Sequence, residues 1–282
     1  MTVSIAHLGP SGTYSEQAAV GYASILHQQT QQEPVLRPYP SIAKTLQAIA
    51  TCEVDLAVVP VENSIEGGVA VTLDMLWQLD NLRINRALVL PIAHTLLSHA
   101  ESLASIETVY SHPQALAQCQ GWLDQFLPAV ELIATNSTTE ALQKLGEGTT
   151  AGAVASPRAA QLYNIPILAS SINDYAENCT RFWVLGLSEL AIGSHTSIAF
   201  STRANIPGAL VQPLQVFAER GINLSRIESR PSKRSLGDYL FFIDFEGDTT
   251  LPSVQDAIAQ LANYTEILKI FGSYNVLSLA KN

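Results

Sequence analysis

Short apolar runs alternate with amphipathic stretches over the first two-thirds of the chain. Runs at five places predict buried strands: residues 3–8, 56–61, 108–110, 131–135 and 152–155. Between these runs the apolar side chains recur at helical spacing: Ile42, Leu46, Ile49, and again Leu116, Cys119, Leu123. Strands that alternate with helices are typical of an α/β domain with a mostly parallel sheet.

A different pattern follows a predicted linker near residues 186–197. Residues 196–203, 224–229, 239–245 and 267–274 read as strands, and two helical stripes fall between them. The first stripe contains Leu210, Leu214 and Phe217, and Gly221 can end its helix. The order βαββαβ predicts a ferredoxin-like unit, which by itself indicates no function.

Helix starts directly after strands are the first candidates for chemistry. Thr13 and Glu16 have capping-box spacing after the first strand, and Ser137 and Glu140 repeat that spacing after residues 131–135. Free backbone N–H groups at such ends can bind anions, although plain capping is the more common explanation of any single one of them. Several such ends in one α/β region favour a carboxylate-binding cleft.

Composition narrows the class of protein. A net charge of −10 over 282 residues argues against nucleic-acid binding, which needs clustered Lys and Arg. Three scattered cysteines predict neither a disulfide framework nor a zinc site, and no nucleotide fingerprint is present, so we expect no metal and no cofactor. We find no signal peptide and no run of membrane-spanning length, which favours the cytoplasm and no membrane partner.

Five motifs, taken in order, carry a family resemblance. The first four are residues 9–15 (GPSGTYS), 59–67 (VPVENSIEG), 111–114 (SHPQ) and 178–182 (NCTRF); the last pairs 208–210 (GAL) with 228–231 (ESRP). Over nearly its whole length the chain resembles the prephenate dehydratase family with a C-terminal ACT domain. The resemblance implies an α/β fold with a two-lobed, periplasmic-binding-protein-like catalytic domain at 1–188 and a ferredoxin-like βαββαβ ACT domain at 196–275. Lobe 1 is expected at about 1–78 and 167–188, and lobe 2 at about 79–166. With the first strand starting at residue 3, we expect no fused chorismate mutase domain.

The same resemblance implies the active-site residues. For catalysis it implies Thr180, Arg181, Asn63, Ser64 and Glu62, with Thr180 at the departing hydroxyl and Arg181 as a bidentate partner of a substrate carboxylate. For substrate binding it implies Ser11, Gly12, Thr13, Asn178, Phe182 and Ser137. Alternatives stay open: Glu62 can be a structural partner, Phe182 can pack rather than bind, and His112 before Pro113 can be a turn residue.

The implied reaction converts prephenate to phenylpyruvate, with feedback inhibition by L-phenylalanine. The implied effector residues are Gly208, Ala209, Leu210, Asn223, Glu228, Ser229 and Arg230, completed by a neighbouring subunit in a homodimer or homotetramer. Two rivals remain. The substrate can be arogenate, which has an amino group in place of the keto oxygen, or the chain can be a non-catalytic amino-acid sensor.

Overall fold

The computed structural model describes residues 2–146, 148–188 and 192–280. Its helices are α1 Tyr14–Thr30, α2 Ile42–Ala50, α3 Ala70–Gln78, α4 Pro113–Ala117, α5 Gln120–Phe126, α6 Thr138–Gln143, α7 Pro157–Tyr163, α8 Val211–Ala218 and α9 Pro252–Leu261. Its strands are β1 Ser4–Leu8, β2 Val35–Tyr39, β3 Leu56–Asn63, β4 Gly67–Gly68, β5 Arg83–Pro91, β6 Thr95–Ser98, β7 Thr108–Ser111, β8 Glu131–Ala134, β9 Ala151–Ala155, β10 Ile167–Ala169, β11 Cys179–Gly186, β12 His195–Thr202, β13 Leu224–Pro231, β14 Tyr239–Glu246 and β15 Thr265–Ser278.

The first lobe is a sheet with helices on both faces. Its strands run in the order β5-β11-β3-β1-β2, and β4 pairs with β3. Helix α1 packs on one face through Ala18, Ala19 and Tyr22. Helices α2 and α3 cover the other face, where Leu46 and Leu73 are buried. Because both faces are covered, the central strands β1 and β3 are nearly continuous apolar runs, which is why the sequence pattern predicted these two; β2, β5 and β11 were not predicted as strands.

The second lobe has its own sheet in the order β10-β6-β9-β7-β8. Separate apolar clusters lie on its two sides, one around Cys119 and Leu123, the other around Ala153 and Ala159. Two lobes followed by a ferredoxin-like unit confirm the predicted α/β fold class. Each lobe, however, mixes parallel and antiparallel pairs, because β11 runs antiparallel to both β3 and β5, and β6 antiparallel to β9.

The lobe limits differ from the expected ones at two places. Strand β5, which begins at Arg83, pairs with β11 in the first lobe, although we expected residues from 79 onward in the second. Strand β10, which begins at Ile167, pairs with β6 in the second lobe, although we expected it in the first. The reason is that the chain passes between the lobes only after β5 and again after β10.

The C-terminal unit (residues 195–278) has the sheet order β13-β14-β12-β15, with α8 and α9 packed on an apolar cluster that contains Phe217 and Leu261. Strand β15 is longer than predicted, because its last residues leave β12 and pair in parallel with β5 from Asn275 to Ser278. One continuous sheet therefore joins this unit to the first lobe. Part of the predicted linker, residues 189–191, lies outside the described residues.

None of the described helices has the length and apolarity that crossing a bilayer requires.

Candidate active site

A cavity of about 550 Å³ lies between the two lobes. The first lobe contributes Thr13, Tyr14, Asn63 and Thr180, together with the loop before α1. The second lobe and its approach contribute His94, His112, Gln114, Gln118, Asn136, Ser137, Thr138 and Glu140. The lining side chains are neutral or acidic apart from the two histidines. A bound anion would thus meet hydroxyl, amide, imidazole and backbone N–H donors.

Thr180 and Asn63 face each other across two neighbouring strands. The antiparallel register of β11 and β3 places them directly opposite, and Asn63 Nδ2 lies 3.0 Å from Thr180 Oγ1. Both residues are buried, at 9% and 7% exposure, yet both line the cavity. The structure therefore brings together at the cavity two of the five residues that the resemblance implies for catalysis.

The amide orientation of Asn63 is set by the backbone. Its Oδ1 accepts hydrogen bonds from the N–H groups of Ile65 at 3.0 Å and Glu66 at 3.1 Å, as in an Asx turn. Since those N–H groups can only donate, Nδ2 must be the group that faces Thr180. The Thr180 oxygen accepts, and none of the described hydrogen bonds uses its proton, which can be donated into the cavity.

Asn178, a predicted substrate-binding residue, is 2% exposed and supports this pair from behind. Its Oδ1 accepts from Asn63 Nδ2 at 2.9 Å, and its own Nδ2 donates to Gln118 Oε1 at 2.8 Å. Ser64, predicted as catalytic, donates weakly to the same Asn178 oxygen at 3.4 Å and accepts from the Cys179 N–H at 3.0 Å. Neither Asn178 nor Ser64 lines the cavity; the contacts that the structure shows for them hold the turn at Asn63, and their substrate-binding and catalytic roles stay predictions.

Three residues of this network escaped the sequence analysis. Gln118 is joined to His94, whose Nε2 lies 3.0 Å from Gln118 Oε1, and His94 Nδ1 lies 2.9 Å from the Tyr14 hydroxyl. Burial lowers the pKa of His94, against a smaller opposing effect of its hydrogen bond with Gln118. Burial raises the pKa of Tyr14 well above its usual range. The sequence signal for His94 was its position directly after the apolar run at residues 87–93.

Arg181 does not line the cavity, so its role as a carboxylate ligand stays a prediction from the family resemblance. Successive side chains of a strand point to opposite faces, and Arg181 follows Thr180. Its guanidinium lies 3.4 Å from Asp244 and 3.6 Å from Glu62. Glu62 is in turn 3.7 Å from Arg226 of β13. The predicted catalytic pair Arg181 and Glu62 thus belongs to an ionic cluster between the first lobe and the C-terminal unit.

Phe182 likewise fails to reach the substrate cavity. It is 1% exposed and packs with Val58 and Leu88 in the apolar cluster under α1. A register shift between Arg181 and Phe182 interrupts the pairing with β3 at this point. The packing alternative for Phe182 is therefore the one that the structure supports.

The loop before α1 divides its predicted roles between the cavity and the contact of the lobes. Thr13 lines the cavity and caps α1 by accepting from the Glu16 N–H at 3.2 Å. Ser11 and Gly12 do not line it. Instead they contact the second lobe: the Ser11 carbonyl accepts from the Tyr163 hydroxyl at 3.1 Å, and the Gly12 carbonyl accepts from the Ser156 hydroxyl at 3.0 Å. Gly12 has a φ of +89°, which disfavours a side chain there.

A partly buried ion pair reinforces this contact of the lobes. Arg158 of α7 binds both oxygens of Glu16, at 3.0 and 3.1 Å, and the Gly12 N–H donates to the same carboxylate at 2.7 Å. Burial acts to raise the pKa of Glu16, but the hydrogen bonds from Arg158 and Gly12 outweigh it and hold the pKa below its usual value. Ser137, from the second capping motif, lines the cavity and caps α6 as predicted.

The predicted effector residues lie on the C-terminal unit. Gly208, with a φ of +84°, and Ala209 form the turn before α8, and Leu210 packs partly into the unit's core. Asn223 donates to Glu246 at 2.8 Å, and Ser229 is exposed.

The charged members of the second effector segment contact the first lobe. Glu228 forms an ion pair with Arg226, and its carboxylate lies directly over Gly68 of β4. Arg230 binds Asp74 of α3 at 3.2 Å. The segment thus lies next to the ionic cluster that contains Arg181.

Comparison with protein-family models gives the class of protein to which the chain belongs. Residues 5–189 match the model for prephenate dehydratase, and residues 196–263 match the model for the ACT domain. The chain therefore belongs to the prephenate dehydratase family, a family of hydro-lyases, and carries an ACT domain.

Individual relatives support the same assignment. The bifunctional chorismate mutase/prephenate dehydratase of Aquifex aeolicus is 42% identical over 96% of this chain and 73% of its own length. The prephenate dehydratase of Arthrobacter aurescens, solved in complex with L-Phe, is 32% identical, with a TM-score of 0.86 over 97% of this chain and 90% of that chain.

A third relative is described as GqqA, a novel type of quorum quenching acylase. It is 27% identical, with a TM-score of 0.80 over 96% of this chain and 97% of that one. Since one fold can host different chemistries, the activity has to be argued from the site.

Proposed function

We propose that the protein is a prephenate dehydratase, which converts prephenate to phenylpyruvate with loss of water and carbon dioxide. The observation that carries the proposal is the hydroxyl of Thr180 at the cavity wall. Its oxygen accepts a hydrogen bond from Asn63, and its proton remains available to a bound substrate. Such a donor suits a reaction whose barrier lies in expelling hydroxide.

The reaction needs two bonds to break and one proton to be supplied. The ring C–O bond breaks with its electron pair on oxygen, and the departing hydroxide takes up a proton to become water. The bond from the ring to its carboxylate breaks to release carbon dioxide, and its electrons complete the aromatic ring. A hydrogen bond from Thr180 strengthens as negative charge develops on the leaving oxygen, which stabilises the transition state.

Substrate carboxylates would be held by neutral donors. Helix α1 begins at Tyr14 beside the cavity, and its first N–H groups and macrodipole favour an anion. On the opposite wall, Ser137 and Thr138 offer hydroxyls, and His112 offers an imidazole. His112 Nδ1 accepts from the Gln114 N–H at 3.3 Å, so in the neutral ring Nε2 carries the proton and can donate.

The assay is phenylpyruvate formation by the purified protein near pH 8, with an enzyme-free blank because prephenate aromatises unaided in acid. Thr180→Val removes the hydroxyl at nearly constant shape, and we expect kcat to fall about 10²- to 10³-fold, as for loss of one oxyanion donor. Thr180→Ser is the matched control and should stay much closer to the wild type. Equal rates for Thr180→Val and the wild type would refute this role of Thr180.

Regulation by L-phenylalanine at the ACT domain is part of the proposal. Support comes from the matched ACT model, from the relative solved with L-Phe, and from the continuous sheet through β15. Inhibition of turnover by L-phenylalanine, together with binding measured by calorimetry, tests it. Binding without any effect on rate would contradict the regulatory role while leaving the catalytic one intact.

We further propose a cytoplasmic homodimer or homotetramer. Exposed apolar side chains on the C-terminal unit support an interface there: Ile206, Val211, Ile227 and Tyr239. Light scattering of the purified protein measures the assembly, and a monomer at micromolar concentration would contradict this part.

Two alternatives from the sequence are tested by the same assay. Side-by-side rates with prephenate and arogenate decide between those substrates. A protein that turns over neither one but binds an amino acid would be the sensor. The buried, oriented hydroxyl of Thr180 favours an enzyme over a sensor, because ligand binding alone does not need a free donor held in this way.

A further inference from the structure

We propose that His94 is a positioning residue for the reaction. Its Nε2–H group holds the carboxamide of Gln118, which in turn holds Asn178 and Asn63. The orientation of Asn63 then fixes the direction of the Thr180 proton. The proposal rests on the proposed function of Thr180. It assigns a purpose to a buried imidazole that the reaction itself does not use.

The chain of hydrogen bonds has an unambiguous end at Asn63. Backbone N–H groups of Ile65 and Glu66 donate to its Oδ1, so its Nδ2 can only donate to the next members. Asn178 therefore presents Oδ1 to Asn63 and Nδ2 to the other side. That Nδ2 requires an acceptor, which is Gln118 Oε1 at 2.8 Å.

The same logic decides the proton position on His94. Gln118 Oε1 is an acceptor, and His94 Nε2 lies 3.0 Å from it, so Nε2 must carry a hydrogen. The other neutral tautomer would place two acceptors against each other in a site where His94 is 2% exposed. The amide nitrogen of Gln118, its own Nε2, then donates to Asn63 Oδ1 at 3.4 Å and to Glu66 Oε1 at 3.5 Å.

Tyr14 completes the arrangement on the far side of the ring. Its hydroxyl is 2.9 Å from His94 Nδ1 and 2.8 Å from the Ala93 carbonyl. The hydroxyl has a single hydrogen. With the neutral Nε2–H ring that hydrogen is shared between Nδ1 and the carbonyl, and with a protonated ring it goes to the carbonyl while the oxygen accepts from Nδ1–H. Both states keep the Nε2–H donor, so the network tolerates either charge on His94.

The neighbouring titratable groups do not disturb this donor. Burial raises the pKa of Tyr14, and it raises the pKa of Cys119 to about 12, with a smaller contribution from Asp174. Both groups are therefore protonated at neutral pH. Burial lowers the pKa of His94 itself, so the ring is mainly neutral there, in the tautomer that the network selects.

The test compares two substitutions that differ in one donor. His94→Gln places an amide N–H near the position of Nε2, whereas His94→Leu has similar bulk and no donor. We expect kcat of His94→Leu to fall about 10- to 100-fold with KM changed less than about threefold, and His94→Gln to recover most of the loss. Wild-type kcat in His94→Leu, or equal losses in both variants when both fold, would overturn the proposal.

A second measurement does not depend on any variant. The ¹⁵N and ¹H resonances of the His94 ring in the wild-type protein report which nitrogen carries the proton. We expect the proton on Nε2 at pH 8 and a pH profile of kcat without a limb from His94. A ring protonated only at Nδ1 would overturn the proposal. If Thr180→Val retained activity while the His94 proton was on Nε2 as expected, the proposed role of Thr180 would be wrong, but the hydrogen-bond network around His94 would stand.

Discussion

Replacing Asn63 by aspartate tests the direction of the Thr180 proton with almost no change in shape. The native amide donates to the Thr180 oxygen, and its own oxygen accepts from the backbone of Ile65 and Glu66. A carboxylate keeps the backbone contacts but has no hydrogen to donate. The Thr180 hydroxyl would then donate to that carboxylate and turn away from the substrate.

The size of the effect follows from the bond that forms. A hydrogen bond to a charged acceptor contributes about 1.5–3 kcal/mol, and it must be broken before Thr180 can donate to the leaving oxygen. At about 1.36 kcal/mol per factor of ten, kcat should be about 13- to 160-fold lower in Asn63→Asp than in Asn63→Ala. In the alanine variant the network is lost, but the hydroxyl remains free to rotate toward the substrate.

Phenylpyruvate formation between about pH 6 and pH 8, with enzyme-free blanks, measures both variants. Burial raises the pKa of a carboxyl group, and a protonated one regains a donor. The deficit of Asn63→Asp relative to Asn63→Ala should therefore shrink as the pH falls. Equal or faster turnover of Asn63→Asp across this range, with wild-type melting temperatures, would show that the Thr180 proton is not oriented by Asn63.

Three further predictions concern the contacts around the site. Glu16→Gln should be less stable than the wild type at neutral pH, and this difference should shrink below about pH 4.5, because the pKa of Glu16 is lowered in the folded state. Urea titrations at several pH values measure the difference in the free energy of unfolding. Asp244→Asn removes a carboxylate that is 1% exposed between Arg181 and Arg226, and should lower the free energy of unfolding by about 3–5 kcal/mol. The control is Asp256→Asn, whose carboxylate is 70% exposed in an ion pair with Arg220, and it should cost less than about 1 kcal/mol. In Gly68→Ala the new Cβ would collide with the Glu228 carboxylate, so the inhibition curve for L-phenylalanine should shift at least about threefold while turnover persists. An unchanged curve would separate this contact from regulation.

The one-dimensional pattern located part of the secondary structure, and the motifs indicated the class of protein. Apolar runs predicted strands such as β1, β3 and β9 because burial imposes such patterns on the chain, but strands β2, β5, β6, β10 and β11 were not predicted. Capping residues such as Thr13 and Ser137 were identified correctly because a helix start is a local event, decided within four residues. Motifs around Asn63 and Thr180 indicated the family, and these two residues do meet at the cavity.

Which face a side chain occupies was decided only by the tertiary structure. Arg181 and Glu62 belong to the predicted motifs, yet their side chains lie on the face of the sheet that points away from the cavity. Successive side chains of a strand point to opposite faces, and the register of β11 with β3 places Thr180 and Asn63 together on the cavity side. His94 and Gln118 join the site from the second lobe, distant in sequence from Asn63 and Thr180. The pairing of β15 with β5 depends on a strand edge in another domain. Contacts of this kind are properties of how elements assemble, so no local pattern encodes them.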